Sequence, residues 1–141
     1  MAIKADFNEA EWQAMEKGVT GAAMLVSVSD RDFSDSFGEA SALAKALAAQ
    51  REQSASELMR ELAGVRGTGF GMTASPQEVE SETLASLQVA TAALAAKAPD
   101  ESDAYRRLVL GVAESVAVAK GGAKAGEIAA LDKLSEALGA A

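Results

Sequence analysis

The stretch Ser75-Pro-Gln-Glu-Val-Glu-Ser-Glu-Thr-Leu-Ala-Ser-Leu-Gln-Val-Ala-Thr-Ala-Ala-Leu-Ala-Ala-Lys-Ala-Pro99 decides the fold class. Ser75 is a natural N-cap, Pro76 suits the first helical position because its missing N–H has no intrahelical partner there, and Glu78 sits where an anion favours a helix start. Val79, Thr83, Leu87, Ala90 and Leu94 then recur at helical spacing, so one face is apolar for the length of the segment. Pro99 ends it, since proline neither donates into a helix nor fits its interior. The expectation is a long helix from Pro76 to just before Pro99.

The same pattern recurs on both sides. Towards the N-terminus, Asn8 and Glu11 have the spacing of a capping box, and Trp12, Met15, Val19, Ala22 and Val26 form a stripe over a helix from about residue 8 to 28. Ser36 and Glu39 repeat the capping pair ahead of Phe37, Ala40, Leu43, Ala44 and Leu47, and Leu58 and Leu62 resume a similar face. The polar residues from Gln50 to Ser56 leave two arrangements open, one long helix or two with a bend, and Gly64 closes either. Beyond Pro99, Asp100 or Ser102 is placed to cap a helix carrying Ala104, Leu108, Val112, Ser115, Val116 and Ala119. Gly121 and Gly122 break it, and Ile128, Leu131, Leu134 and Leu138 mark a final short helix. No segment alternates with period two for long enough to argue a strand. The sequence therefore predicts an all-α protein, a compact bundle of roughly five to six amphipathic helices in one domain over residues 1–141.

Composition limits function. Lys and Arg number 13 against 21 Asp and Glu, a formal charge of −8 that repels nucleic-acid phosphate and anionic lipid. The chain has no Cys, which excludes disulfides, thiolate metal sites and cysteine nucleophiles. It has no His, the commonest general base and a frequent metal ligand. The longest apolar stretch, Ala22 to Val28, is interrupted by Ser27 and is far short of the roughly 20 residues of a membrane span. Nor does the start read as a secretory leader, so the expected location is cytoplasmic.

Two segments look alike. Gly18-Val-Thr-Gly-Ala-Ala-Met-Leu-Val-Ser-Val-Ser-Asp30 precedes Gly38-Glu-Ala-Ser-Ala-Leu-Ala-Lys-Ala-Leu47, and Gly111-Val-Ala-Glu-Ser-Val-Ala-Val-Ala-Lys120 precedes Gly126-Glu-Ile-Ala-Ala-Leu-Asp-Lys-Leu-Ser-Glu-Ala-Leu138. Each is an apolar helix, a polar turn, then Gly-Glu opening another helix, which suggests pseudo-repeats over about 8–50 and 102–141. The second copy, Tyr105 to Gly139, resembles the tellurite-resistance TerB-like family. There an apolar helix ends in an acidic Asp-Gly turn followed by a Glu, and a second helix ends in Leu-Gly. Ala117-Val-Ala-Lys120-Gly121 stands at the turn, Glu127 matches the Glu, and Leu138-Gly139 matches the ending. The first copy keeps acids at both positions, Asp30 and Glu39. The resemblance implies an all-α fold with internal pseudo-symmetry, divalent-metal binding and stress-response complexes in a bacterial setting. Lys120 departs from the family's acid and argues against a metal site in the second copy.

Asp30-Arg-Asp32-Phe-Ser-Asp35-Ser-Phe-Gly-Glu39 is the densest acid cluster, and Asp30, Asp32, Asp35 and Glu39 are the candidate ligands for Ca²⁺ or Mg²⁺, which prefer oxygen donors. It is not an EF-hand loop, with Asp35 where glycine belongs and Ser41 where the bidentate Glu belongs. The competing reading gives Asp35, Ser36 and Glu39 a helix-capping role. The glycine run Gly64, Gly67, Gly69, Gly71 follows a helix and lacks the lysine of a phosphate loop, so it reads as a connection. Phe70 and Met72 within it are candidate anchors for a partner. Phe7, Trp12, Phe37 and Tyr105 read as packing aromatics, Arg106 and Arg107 as surface partners of Glu101 and Asp103, and Glu57/Glu61 and Glu78/Glu82 as solvated pairs.

Together these readings favour a non-catalytic helical interaction module that docks a protein partner or itself. A divalent-metal module using the Asp30–Glu39 loop is the alternative, and a small-ligand carrier or enzyme with a pocket between helices is the third reading.

Overall fold

The computed structural model describes residues 4–28, 45–52, 56–64, 76–119 and 125–138. Helix α1 spans Glu9–Val28, α2 covers 45–52, α3 spans Glu57–Ala63, α4 spans Pro76–Lys97, α5 spans Ser102–Ala119 and α6 spans Ala125–Ala137. Short 3-10 turns lie at Lys4–Asp6 and Pro99–Glu101. No strand occurs among the described residues. The protein is an all-α bundle.

Helix α4 realises the deciding stretch. It begins at Pro76 and ends at Lys97, and Val79, Thr83, Leu87, Ala90 and Leu94 are all fully buried. Its partner is α1, whose own stripe of Trp12, Met15, Val19, Ala22 and Val26 is buried against it. The two run antiparallel, with Glu11 beside Lys97 at one end and Gly21 beside Thr83 towards the other. Helix α1 also packs on α3, α5 and α6, so the first helix of the chain is the axis of the bundle. One continuous cluster of buried apolar side chains runs from Phe7 to Leu138.

Glycines let the helices approach closely. A Cβ on Gly18 would collide with the Tyr105 hydroxyl and come within 2.8 Å of Leu87 Cδ2. In the space left open, the buried Tyr105 hydroxyl donates to the Met15 carbonyl at 2.8 Å. At Gly21 the position of a Cβ is taken by Thr83 Oγ1, which is buried without a conventional hydrogen-bond partner among the described residues.

Of the two arrangements the sequence left open, a single unbroken helix is excluded at Ser56, which is not helical. Ser56 adopts an extended conformation (φ −91°, ψ 129°), caps α3 through the Met59 N–H, and donates at 2.6 Å to Glu101 in the turn before α5. Gly64 ends α3, and Leu58 and Leu62 are buried as their spacing predicts. After Pro99, however, Ser102 is itself helical (φ −59°, ψ −45°) and its N–H bonds to the Pro99 carbonyl, so it does not cap α5. The 3-10 turn has already set the helical course there.

Helix α6 keeps Leu131, Leu134 and Leu138 of the predicted stripe on the core side, but not Ile128. Ala130, Leu134 and Leu138 face the core, whereas Ile128 is 50% exposed. Residues 128 and 130 lie about 200° apart around a helix, so a face built on Ala130 turns Ile128 outward.

Helices α1 and α5 bury residues at the same spacing. Trp12 matches Tyr105, Met15 matches Leu108, Gly18 matches Gly111, Val19 matches Val112 and Ala23 matches Val116, and every one of these apolar side chains is buried. The matched glycines behave alike as well. Gly18 receives Tyr105 from α5, and Gly111 receives the Gln50 side chain from α2, whose Cδ would lie 2.7 Å from an added Cβ.

Candidate partner-docking groove

The first turn of α1 is built by local chemistry. The Asn8 N–H donates to Glu11 Oε1 at 3.0 Å, and the Glu11 N–H donates to Asn8 Oδ1 at 2.8 Å, closing the predicted capping box. Phe7 precedes the cap and Trp12 falls four positions after it, the two places that a hydrophobic staple joins. Lys97, at the end of α4, secures the arrangement from outside. Its ammonium bonds Glu11 Oε1 at 2.5 Å and stands 5.9 Å from the centre of the Phe7 ring. The Lys97 hydrogen bond, with that of the Asn8 N–H, lowers the pKa of Glu11 below its ordinary value of 4.5.

The stapled corner and α3 together frame an open groove of about 830 Å³. Phe7 and Trp12 form its floor, and Glu9, Gln13 and Glu16 of α1 and Glu61 of α3 stand around it. Glu9, Gln13 and Glu16 are one stripe of α1, at i, i+4 and i+7, beside the stripe that enters the core. Gln13 Nε2 donates to Glu9 Oε1 at 3.3 Å, which holds those two side chains together. Glu9 and Glu61 are exposed and Glu16 is half-buried. No lysine or arginine is among the described residues that line the groove. The arrangement offers an aromatic floor for an apolar group and carboxylates for a cation.

The site residues proposed from sequence are not among the described ones. Asp30, Asp32, Asp35 and Glu39, the candidate metal ligands, and Phe70 and Met72, the candidate partner anchors, lie outside the described residues, as does the Lys120 turn. Among the described residues no three acids come together in a group fit to hold a metal ion. Phe7, Trp12 and Tyr105 are buried, as read, and burial pushes the Tyr105 phenol far above the usual range. Arg106 reaches Asp103 at 3.6 Å, but Glu101 accepts from Ser56, and Arg106 Nε is buried without a hydrogen-bond partner among the described residues. The expected Arg–Glu101 surface pair is thus replaced by a cap-to-turn contact. The pairs Glu57/Glu61 and Glu78/Glu82 are exposed, and Glu82 meets Lys17 at 3.4 Å.

Phe7 and Trp12 belong to the core, as the sequence predicts, and their remaining edges also line the groove, a second role that the sequence does not announce. The available signal was the polar stripe Glu9, Gln13, Glu16 next to Trp12; Glu61 was beyond reach, because its place depends on how α3 packs. No described helix is long and apolar enough to cross a membrane. No protein-family model, curated protein or solved structure matches the chain.

Proposed function

We propose that this chain is a non-catalytic helical module that acts by docking a protein partner. The observation that carries the reading is the open groove at the start of α1, with an aromatic floor and a carboxylate surround. The absence of His and Cys from the whole sequence supports it, since catalysis would have to rest on carboxylates, Lys, Tyr or hydroxyls. A photo-crosslinking residue at Gln13, inside the groove, and one at the exposed Ser81 on α4 test this in native extract. A discrete protein adduct at position 13 but not at 81 is expected. No adduct at either position, with a chain that stays monomeric at high concentration, contradicts it.

The second reading is a TerB-like divalent-metal module. It rests on four carboxylates within the ten residues Asp30 to Glu39, and on their partial match to that family's acidic turn. Calorimetric titration with Ca²⁺ and Mg²⁺, beside the Asp30→Ala/Glu39→Ala variant, decides it. Saturable heat in the wild type that the variant loses supports the reading, and absence of heat at millimolar metal ends it.

A further inference from the structure

We infer that the groove at the start of α1 takes a basic, partly apolar peptide segment, with Lys or Arg side chains facing the separate rim carboxylates Glu9, Glu16 and Glu61 and an apolar side chain against the accessible edges of Phe7 and Trp12. The inference rests on the docking reading and supplies the chemistry of its partner. Charge complementarity selects the occupant. Carboxylates stand on both walls, two from α1 and one from α3, and no described lining residue is cationic. An acidic peptide would bring like charges together around a low-dielectric aromatic floor, and a purely apolar one would leave the carboxylates partly desolvated without partners. A segment bearing both an apolar group and a cation meets both demands.

The chain itself shows the same recognition on the neighbouring side of Phe7. There the Lys97 ammonium lies near the ring and bonds Glu11, a cation held by one aromatic and one carboxylate at once. The groove is lined by the same two kinds of group, the edges of Phe7 and Trp12 and the separate carboxylates of Glu9, Glu16 and Glu61. Exposed charges at a rim act mainly on encounter and selectivity, whereas the aromatic floor supplies contact area.

Trp12 is the chain's single tryptophan, so its emission reports from the site. The probe is a synthetic peptide of Leu, Ala and Lys, compared with its Glu-for-Lys counterpart. A saturable change in Trp12 emission with the basic peptide is expected, about tenfold weaker binding in 0.5 M salt than in 0.05 M as the rim charges are screened, and none with the acidic peptide. The variant Glu9→Gln/Glu16→Gln/Glu61→Gln replaces surface carboxylates with isosteres and should keep its circular dichroism and unfolding midpoint while weakening binding about tenfold. Equal response to both peptides, undiminished binding by the variant, or no response at millimolar peptide overturns the inference. So does an emission change driven by protein concentration alone, which makes a second copy the occupant. If the peptide fails while position 13 still captures a protein, only the partner chemistry falls; if both fail, the docking reading falls with it.

Discussion

Gly18 sits where α1, α4 and α5 meet, and its missing side chain is what lets the Tyr105 hydroxyl reach the Met15 carbonyl. Gly18→Ala should gain about 1 kcal/mol of helix propensity yet destabilise overall by about 1–2 kcal/mol, because overpacking a close helix contact costs more. Chemical denaturation of Gly18→Ala, Tyr105→Phe and the double variant checks this. The two changes should be non-additive, since without the phenol oxygen the new methyl loses one of its two obstacles. Strict additivity would mean that hydroxyl and glycine do not compete for one space. Thr83 gives a sharper contrast. Its Oγ1 is buried without a conventional partner, so Thr83→Val should be as stable as the wild type or more so; a loss of about 1 kcal/mol would reveal a hydrogen bond. Sequence placed Thr83 correctly in the buried stripe. It could not assign the hydroxyl a neighbour, because Gly21 lies on another helix at a register fixed only by packing.

Helices were legible wherever start, stripe and stop agreed. Pro76, Val79 to Leu94 and Pro99 bounded α4, and Asn8 with Glu11 opened α1. The departure comes in α6, where Ile128 falls on the predicted stripe with Leu131, Leu134 and Leu138 but is exposed. In so Ala-rich a segment, Ala130 fits against a close neighbour as well as a larger side chain would, so hydrophobicity alone does not set the face. The α1 cap also predicts a pH dependence. The pKa of Glu11 is lowered in the folded state, so its contribution is fully present above its ordinary value of 4.5 and is lost as pH falls through the folded-state value. Glu11→Gln should therefore be less stable than wild type at pH 7, with the difference closing on acidification. A constant difference down to low pH would show that the Lys97 and Asn8 contacts do not favour the carboxylate. The Ser56 hydroxyl caps α3 and bonds Glu101, so Ser56→Ala should cost about 1 kcal/mol or somewhat more in thermal unfolding.

At the scale of the whole molecule, a charge of −8 coexists with a dense apolar core because the described acids serve as caps, ion partners or solvated surface. Lys17–Glu82, Lys97–Glu11 and Lys133–Glu80 join α4 to α1 and α6 across the surface. The carboxylates of the groove have a different setting, beside two aromatics among lining residues that include no described lysine or arginine. Fold class and helix stripes could be read from residue spacing, a local property of the chain. The groove could not, because it arises where Glu61 of α3 comes to stand opposite the first turn of α1. Two-dimensional amide NMR of the labelled chain, titrated with the basic Leu-Ala-Lys peptide, tests the docking claim most directly. Saturable shifts confined to Phe7–Glu16 and the neighbourhood of Glu61 are expected; shifts centred on the outer face of α4 around Val89, or none at millimolar peptide, would contradict it.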